Sequence, residues 1–573
     1  MNLDLLNKAR GKKKADLVLK NGKAVDVFNE QIKKLDVAIA NGVIIGIGSY
    51  KGQEEIDLQG KVLAPGFIDG HLHLESAMTK VRDFAQQVIS LGTTTVVADP
   101  HEIANVMGLE GIRYLLEAGL SLPWNFNLLL PSCVPATKFD TSGAILKSED
   151  LEELITANGV FGLGEVMNFT GVINGEKSLW EKLNLFKDYF IDGHAPGLTA
   201  KDLNAYLLGG IKADHECTTS QEAIEKISKG MYIMIREGSV TRDLKRLLPA
   251  VNEQNSNRFL FATDDRHPRD LVKEGHINFL IKKAIKNGLN PLQAIKFATI
   301  NSATALGLEN TGAIAPGYKA DLVVIDGLKE LKVKQVFKDG KLVAEDGKFI
   351  LDSKEEHQIS EIKKQKIYNS INIGKIEKSD FILPVSNKYR VMELIKDQII
   401  TKQSTVKLTS QQISSKQLIE KNLVKLAVVE RHQKTGNVAL GLLKGLGLQT
   451  GAIATSIAHD SHNIIVAGLD AKDMLLAVKE IEKIQGGIVI TNKGQVVEQL
   501  ALPIAGLMSD KPLLKVAEKI TSLRKVAHSL GVTYQEPFMT LSFMSLPVIP
   551  ELKITDKGLF SVEEFQFVPL VVE

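Results

Sequence analysis

Apolar residues in this chain recur in two rhythms, every second position in short runs and every third or fourth in longer ones, and the rhythms are segregated along the sequence. Over residues 14–64 alternation and turn chemistry predict short strands. A strand at 15–20 meets Asn21-Gly22, read as a hairpin turn, and a strand at 37–40 meets a second hairpin dipeptide, Asn41-Gly42, followed by 43–47. The same grammar returns after the middle of the chain, where 320–326 predicts a strand and Val336-Phe337 leads into Asp339-Gly340. Two strand sets bracketing a long insert suggest one small β domain built from both flanks; two unrelated β segments would show the same periodicity.

The insert alternates short apolar strands with amphipathic helical stretches. Strands are expected at 94–98, 126–130, 160–164 (behind the turn residues Asn158-Gly159) and 231–235, with a helical run through 113–116. Repeated strand–helix units over about 250 residues favour a (β/α)8 barrel. A doubly wound open sheet competes, but no Gly-x-Gly-x-x-Gly follows the first strand, so a dinucleotide site is unsupported. Beyond residue 360 metal-type motifs thin out, 363–366 reads as a solvated connector, and residues 380–573 mix strands (426–429, 487–490) with a helix over 471–484. The expected architecture is α/β: a (β/α)8 TIM-like barrel at 65–310, a small β-sandwich domain from 1–64 and 311–362, and a C-terminal α/β domain at 363–573.

Composition narrows the function classes. A chain of 573 residues exceeds one hydrophobic core. Seventy Lys and Arg against 68 Asp and Glu give a net charge of +2, which argues for neither nucleic acid nor a membrane as partner. Cys133 and Cys217 are the only cysteines and lie far apart, so a disulfide framework and a Cys-based zinc site are unsupported. The first eight residues run straight into charge, without the apolar core of a signal peptide, and no run approaches about 18 apolar residues. A cytoplasmic protein is expected; a homo-oligomer is compatible with all of this.

Candidate chemistry sits where the expected strands end. In 62–75, His71 and His73 are two residues apart, so on a strand they share a face and can grip one cation through neutral ring nitrogens. Later strand ends carry Asp99-Pro100-His101-Glu102, Glu165, His194, His215 and Asp264. Each alone could be a satisfied core residue or a solvated strand end. Together His71, His73, Glu165, His194, His215 and Asp264 form a nitrogen and oxygen donor set for two divalent cations, in which a carboxylate can bridge. Asp265 adjoins Asp264, with its side chain expected on the other strand face. Arg236-Glu237 follows an apolar strand and could meet a substrate edge, or could be a turn with solvated charges. His101 and Glu102 could bind substrate or orient ligands. Residues 458–463 and 430–432 are polar runs beside apolar strands, read as surface turns with a lid over the barrel mouth as the alternative.

The segments 65–76, 97–105, 164–168, 192–197, 214–216 and 262–268 resemble the amidohydrolase superfamily and, within it, the adenine deaminase family, over essentially the whole length. His-x-His and the late Asp are shared by many amidohydrolases; the Asp-Pro-His-Glu-Ile-Ala-Asn segment at 99–105 is more specific. Glu165 stands where many relatives carry a carboxylated lysine, which counts against dihydroorotase and hydantoinase. The resemblance implies hydrolytic deamination of adenine to hypoxanthine and ammonia (purine salvage) by a metal-activated hydroxide. His71, His73, His194 and His215 would hold two ions, Glu165 would bridge them, and Asp264 would be both ligand and proton shuttle. His101, Glu102, Arg236 and Glu237 are the substrate-contact candidates. Manganese is the expected metal, with iron or zinc suited to the same donors. The alternatives are an amidohydrolase acting on a cyclic amide or another aminated heterocycle, and a catalytically silent scaffold barrel. A cytidine-type zinc site is excluded by the lack of Cys-x-x-Cys.

Overall fold

The computed structural model describes residues 3–351, 365–396, 398, 400–408 and 413–573. The first five strands are β1 (Ala15–Asp26), β2 (Gln31–Ala40), β3 (Val43–Ile47), β4 (Gly52–Asp57) and β5 (Val62–Pro65). Asn41-Gly42 makes the expected tight turn: both residues have positive φ (53° and 77°), and Ala40 lies opposite Val43. Asn21-Gly22 does not. β1 continues through it, and the pairing with β2 slips between Leu19 and Gly22. Asn21, at φ 55°, supplies the left-handed residue of a bulge rather than of a hairpin.

Strands β6 (Phe67–Leu72), β7 (Thr93–Ala98), β8 (Asn125–Leu130), β9 (Val160–Val166), β10 (Phe190–Gly193), β11 (Ala213–Asp214), β12 (Tyr232–Arg236) and β13 (Phe259–Ala262) form the barrel. β6 to β10 pair in parallel in sequence order, as do β11 to β13. Lys212 N–H donates to the Ile191 carbonyl (3.0 Å), joining the β10 edge to β11, and Asp264 N–H donates to the His71 carbonyl (3.0 Å), closing the ring. Ile68, Val97, Leu129, Phe190, Ala213, Met234 and Leu260, from seven different strands, form one buried cluster, with Phe161 of β9 packed against it. The barrel interior is therefore filled, and chemistry is confined to its mouth.

β14 (Leu322–Ile325), β15 (Val333–Lys338), β16 (Lys341–Glu345) and β17 (Lys348–Phe349) join β1 to β5 in one nine-stranded sheet, with β5 against β14. Period-two alternation divides its side chains. Leu322, Val324 and Phe337 share a core with Leu17, Leu19, Val37 and Leu63, whereas Val323, Ile325 and Val336 belong to the large core that includes barrel residues.

The C-terminal region contains an eight-stranded sheet in the spatial order Thr401–Lys407, Lys388–Leu394, Val438–Lys444, Leu423–Val429, Ile464–Gly468, Ala452–Thr455, Gly487–Asn492, Gln495–Ala501. Helix Ala471–Lys483 buries Met474, Ala477, Val478 and Ile481 against Val429, Ala452, Val466 and Val489. This region also grips the loop after β8. Asp556 accepts from Thr141 N–H (2.9 Å) and its hydroxyl (2.7 Å), and Asn463 Nδ2 donates to the Thr141 carbonyl (2.8 Å). Lys363 and Lys364 of the expected connector, and the expected boundary at 362/363, lie outside the described residues. Among the described residues no helix is long and apolar enough to cross a membrane.

Candidate functional site

Every member of the expected donor set lies at the C-terminal end of a barrel strand or just beyond it, where parallel barrels carry their chemistry. The structure brings all six together. His71 Nε2 and His73 Nε2 are 3.2 Å apart, and Asp264 Oδ1 lies 3.1 Å from His73 Nε2 and 3.8 Å from His71 Nε2. Glu165 faces both pairs of histidines. Its Oε2 is 2.6 Å from His194 Nδ1 and 3.0 Å from His215 Nε2, while Oε1 is 3.6 Å from His73 Nε2. One oxygen toward each pair is the disposition a bridging carboxylate requires. His194 is half-buried and the other five are buried.

The hydrogen bonds around this cluster fix what it can hold. His73 Nδ1 lies 3.0 Å from the Asp99 carbonyl, which can only accept, so the proton is on Nδ1. His71 Nδ1 likewise donates to the Asp192 carboxylate at 2.7 Å. Neutral imidazoles so arranged aim two unprotonated Nε2 lone pairs into the same space with no proton between them. A cation is the group that fits there, and the carboxylate and carbonyl behind each ring are the usual supports of ligating histidines. The local charge favours a positive group here. Burial lowers the basicity of His73, yet the neighbouring Asp264 and Glu165 carboxylates outweigh it and raise the imidazole, so a cation on Nε2 takes the place of a proton that these carboxylates would otherwise hold there. Glu165 is held low against its own burial by His194 and His215.

Asp264 lies two residues beyond β13 with φ 55°, a left-handed conformation that Asp tolerates better than most residues. The strand has ended at Ala262, so alternation no longer governs its neighbours. Asp265 consequently does not point to the opposite face: it accepts the Ser76 hydroxyl, three residues beyond His73, at the same mouth. Arg236 is likewise not turned toward a free edge. Its guanidinium donates to Asp264 Oδ2 (2.9 Å), Asp243 (3.4 Å) and Glu216, so three carboxylates occupy it. Glu237 is placed apart from the cluster, buried against Lys283 and the Leu244 N–H (3.3 Å). Arg236 is the last residue of β12, and Glu237, just past it, turns away from the cluster to Lys283.

His101 stacks edge-on against His73 (ring centroids 4.6 Å), and its Nδ1 lies 3.4 Å from Glu165 Oε1. Glu102 faces the C-terminal region, where His459 Nδ1 (2.7 Å) and His462 Nε2 meet its two oxygens. The surface-turn reading of 430–432 and 458–463 is therefore wrong: Glu430, Arg431 and 459–463 are buried. Arg431 donates to the His462 and Ala505 carbonyls, and Glu430 accepts backbone N–H groups of Gln433 and Thr435 (2.6 and 2.9 Å). Sequence reasoning also missed the supporting roles of Asp99 and Asp192. The one available signal was the placing of Asp192 two residues before His194 at a strand end.

The amidohydrolase family model matches residues 62–343, and the model of the adenine deaminase C-terminal domain matches 398–566. The chain is 58% identical to the adenine deaminase of Petrotoga mobilis over 100% of both chains. It is 48% identical to adenine deaminase 2 of Carboxydothermus hydrogenoformans over 99% of each, and 47% identical to the adenine deaminase of Clostridium acetobutylicum over 98% of this chain and 99% of that one. The chain belongs to the adenine deaminase family. Membership in this branch of the amidohydrolases implies a divalent metal, for which the cluster supplies fitting donors.

If Asp192 sets the His71 tautomer, Asp192→Ala weakens metal binding by about 10–100-fold, the usual effect of removing a ligand's support. Competition of the folded variant against a calibrated chelator measures this. An affinity equal to that of the wild type would show that Asp192 does not orient the ligand.

Proposed function

We propose that this protein is an adenine aminohydrolase that converts adenine and water to hypoxanthine and ammonia. The observation that carries the reading is the pair of converging Nε2 lone pairs at a barrel mouth, in a chain of the adenine deaminase family. His71, His73, His194 and His215, with Glu165 between the pairs and Asp264 beside His71 and His73, would hold two divalent ions. Manganese is our first choice and iron or zinc suit the same donors. Bound there, the ions would supply Lewis acidity, which brings the pKa of water from about 15.7 toward about 7.

The chain's own residues account for the proton. Arg236 holds Oδ2 of Asp264, which leaves Oδ1 on the side of His71 and His73. In our reading Oδ1 takes one proton from the attacking water as its oxygen joins C6 of the base. The carboxyl then passes that proton to the amino nitrogen, which departs as ammonia, and the second water hydrogen ends on the ring of the lactam product. Burial raises the basicity of Asp264, but His73 and Arg236 outweigh it and hold the carboxylate well below its usual range. The group therefore carries a proton only in transit. Arg236 thus positions the proton carrier rather than reading the purine, while His101 and Glu102 line the route between the cluster and the C-terminal region. We place the limits of the barrel at 64 and 310.

Ammonia release from free adenine and from adenosine tests the substrate. Specificity constants for adenine higher by about 10²-fold or more are expected of a site shaped for the base, and equal constants would point to a nucleoside enzyme.

Asp264→Asn keeps the size of the group and cannot carry the proton. A positioned acid/base is worth about 10²–10⁴-fold in rate, so turnover falls by at least that much with the fold retained. Asp265→Asn loses only an acceptor for Ser76 and is milder. A silent Asp265→Asn beside an active Asp264→Asn would move the proton carrier by one residue.

A further inference from the structure

A cavity the size of about one water molecule lies between the barrel mouth and the C-terminal region, too small for a purine. It adjoins the candidate site through Ser76, a wall residue whose hydroxyl donates to Asp265, the neighbour of Asp264. Two of its walls are carboxylates, Glu75 and Glu102, and among the described residues no lysine or arginine lines it. Met78 and Met539 add apolar surface and no charge. Three buried polar atoms of the lining residues have no hydrogen-bond partner among the described residues: Glu75 Oε2, His267 Nε2 and His459 Nε2. A buried polar atom left unpaired is costly unless something else meets it.

The hydrogen bonds determine what these atoms can accept. His462 Nδ1 accepts the Ala458 N–H (3.2 Å), so its proton is on Nε2, where it donates to Glu102. Burial agrees, lowering that ring to about 4. His459 Nδ1 donates to the other oxygen of Glu102 (2.7 Å), which leaves Nε2 of the neutral ring as a lone pair. Glu75 spends Oε1 on the Ile103 N–H (2.9 Å) and keeps Oε2. Burial holds His267 neutral, so it adds a hydrogen-bonding group and no charge. The cavity therefore presents a carboxylate oxygen and an imidazole lone pair beside a second carboxylate. A water molecule could bond to these atoms but would leave the negative charge unmet, and buried carboxylates are costly without a positive partner.

We propose that this cavity is a binding site for the ammonium product, in which Glu75 Oε2 and His459 Nε2 accept its N–H groups. This rests on the adenine aminohydrolase reading and gives the departing nitrogen a place to go. Ammonia leaves C6 neutral and takes a further proton from solvent, as it does in water at neutral pH. The ion is the size of a water molecule, carries positive charge and has N–H donors on every side, which is the complement of these walls. Burial disfavours charge on His459, but the Glu102 carboxylate prevails and raises the ring to about 9. An ammonium ion against Nε2 supplies that positive charge while the ring stays neutral. The C-terminal region thus contributes His459 to product release, and Glu102 orients it.

The test follows hypoxanthine formation from adenine by the metal-loaded, full-length enzyme in ammonium, potassium or methylammonium chloride at one pH and ionic strength. Ammonium lowers kcat without raising KM, because it fills a space that the base does not. Potassium has no N–H to donate and methylammonium exceeds the cavity, so each needs a concentration at least about 10-fold higher, the factor for one hydrogen bond to a charged group. Glu75→Gln removes the carboxylate. His459→Phe removes the lone pair and keeps a ring on Phe543, against which His459 stacks (ring centroids 4.9 Å). In either variant the ammonium inhibition constant rises about 10–100-fold with metal content at the wild-type level. Absent inhibition, equal inhibition by the three salts, an unchanged constant in a folded variant, or a rise that only accompanies loss of metal overturns the proposal. The salt series on the wild type decides alone if neither variant folds. A wild-type enzyme that forms no hypoxanthine from adenine would instead overturn the reading on which the proposal rests.

Discussion

Two imidazole lone pairs facing each other across 3.2 Å, with the protons of both rings tied up behind them, are the constraint on which the barrel mouth depends. Asp192 and the Asp99 carbonyl impose it from the barrel, and it determines what else the mouth must contain. Taking several carboxylates out of water costs several kcal/mol for each ion unless positive charge meets them. Glu165 and Asp264 are buried together beside these rings, and among the described residues Arg236 brings a guanidinium to the cluster through Asp264. Divalent ions would supply the remainder, which makes metal binding and the integrity of this mouth a single problem.

The strands reflect the same logic. Because β6 to β13 are parallel, all their C-terminal ends lie at one rim, and residues hundreds of positions apart meet there without long side chains. Asp264 is the exception that closes the ring. Its backbone N–H completes the seam with His71, while its left-handed conformation takes the carboxylate out of strand alternation. On the proposed mechanism the same residue joins barrel closure to proton transfer. Arg236 then fixes which of its oxygens remains available.

Much of this was legible in the sequence wherever the signal is local. The short apolar runs of β7, β8, β9 and β12, and the His-x-His at the end of β6, place the donor residues on one rim once a parallel barrel is assumed. The failures are equally physical. Asn21-Gly22 and Asn41-Gly42 carry the same left-handed preference, and only the length of paired strand on either side separates a bulge from a turn. Asp265 was misplaced because alternation was extended three residues past the end of β13. Arg236 and Glu237 were misread because their partners, Glu216, Asp243, Asp264 and Lys283, come from separate elements. His459 and His462 look like polar loop residues until Glu102, some 360 positions away, is brought against them. Contacts of that range leave no periodicity to read, and they hold the C-terminal region against the barrel mouth.

The central claim is that one carboxylate, Glu165, joins two metal-binding halves, and Glu165→Gln tests it most directly. The substitution keeps the shape of the side chain and removes its charge and one shared oxygen. Metal per chain and ammonia release from adenine, measured on protein whose melting shows an intact fold, should both fall, with at least one ion lost and turnover reduced by about 10²-fold or more. Wild-type metal content with wild-type turnover in that variant would contradict the account.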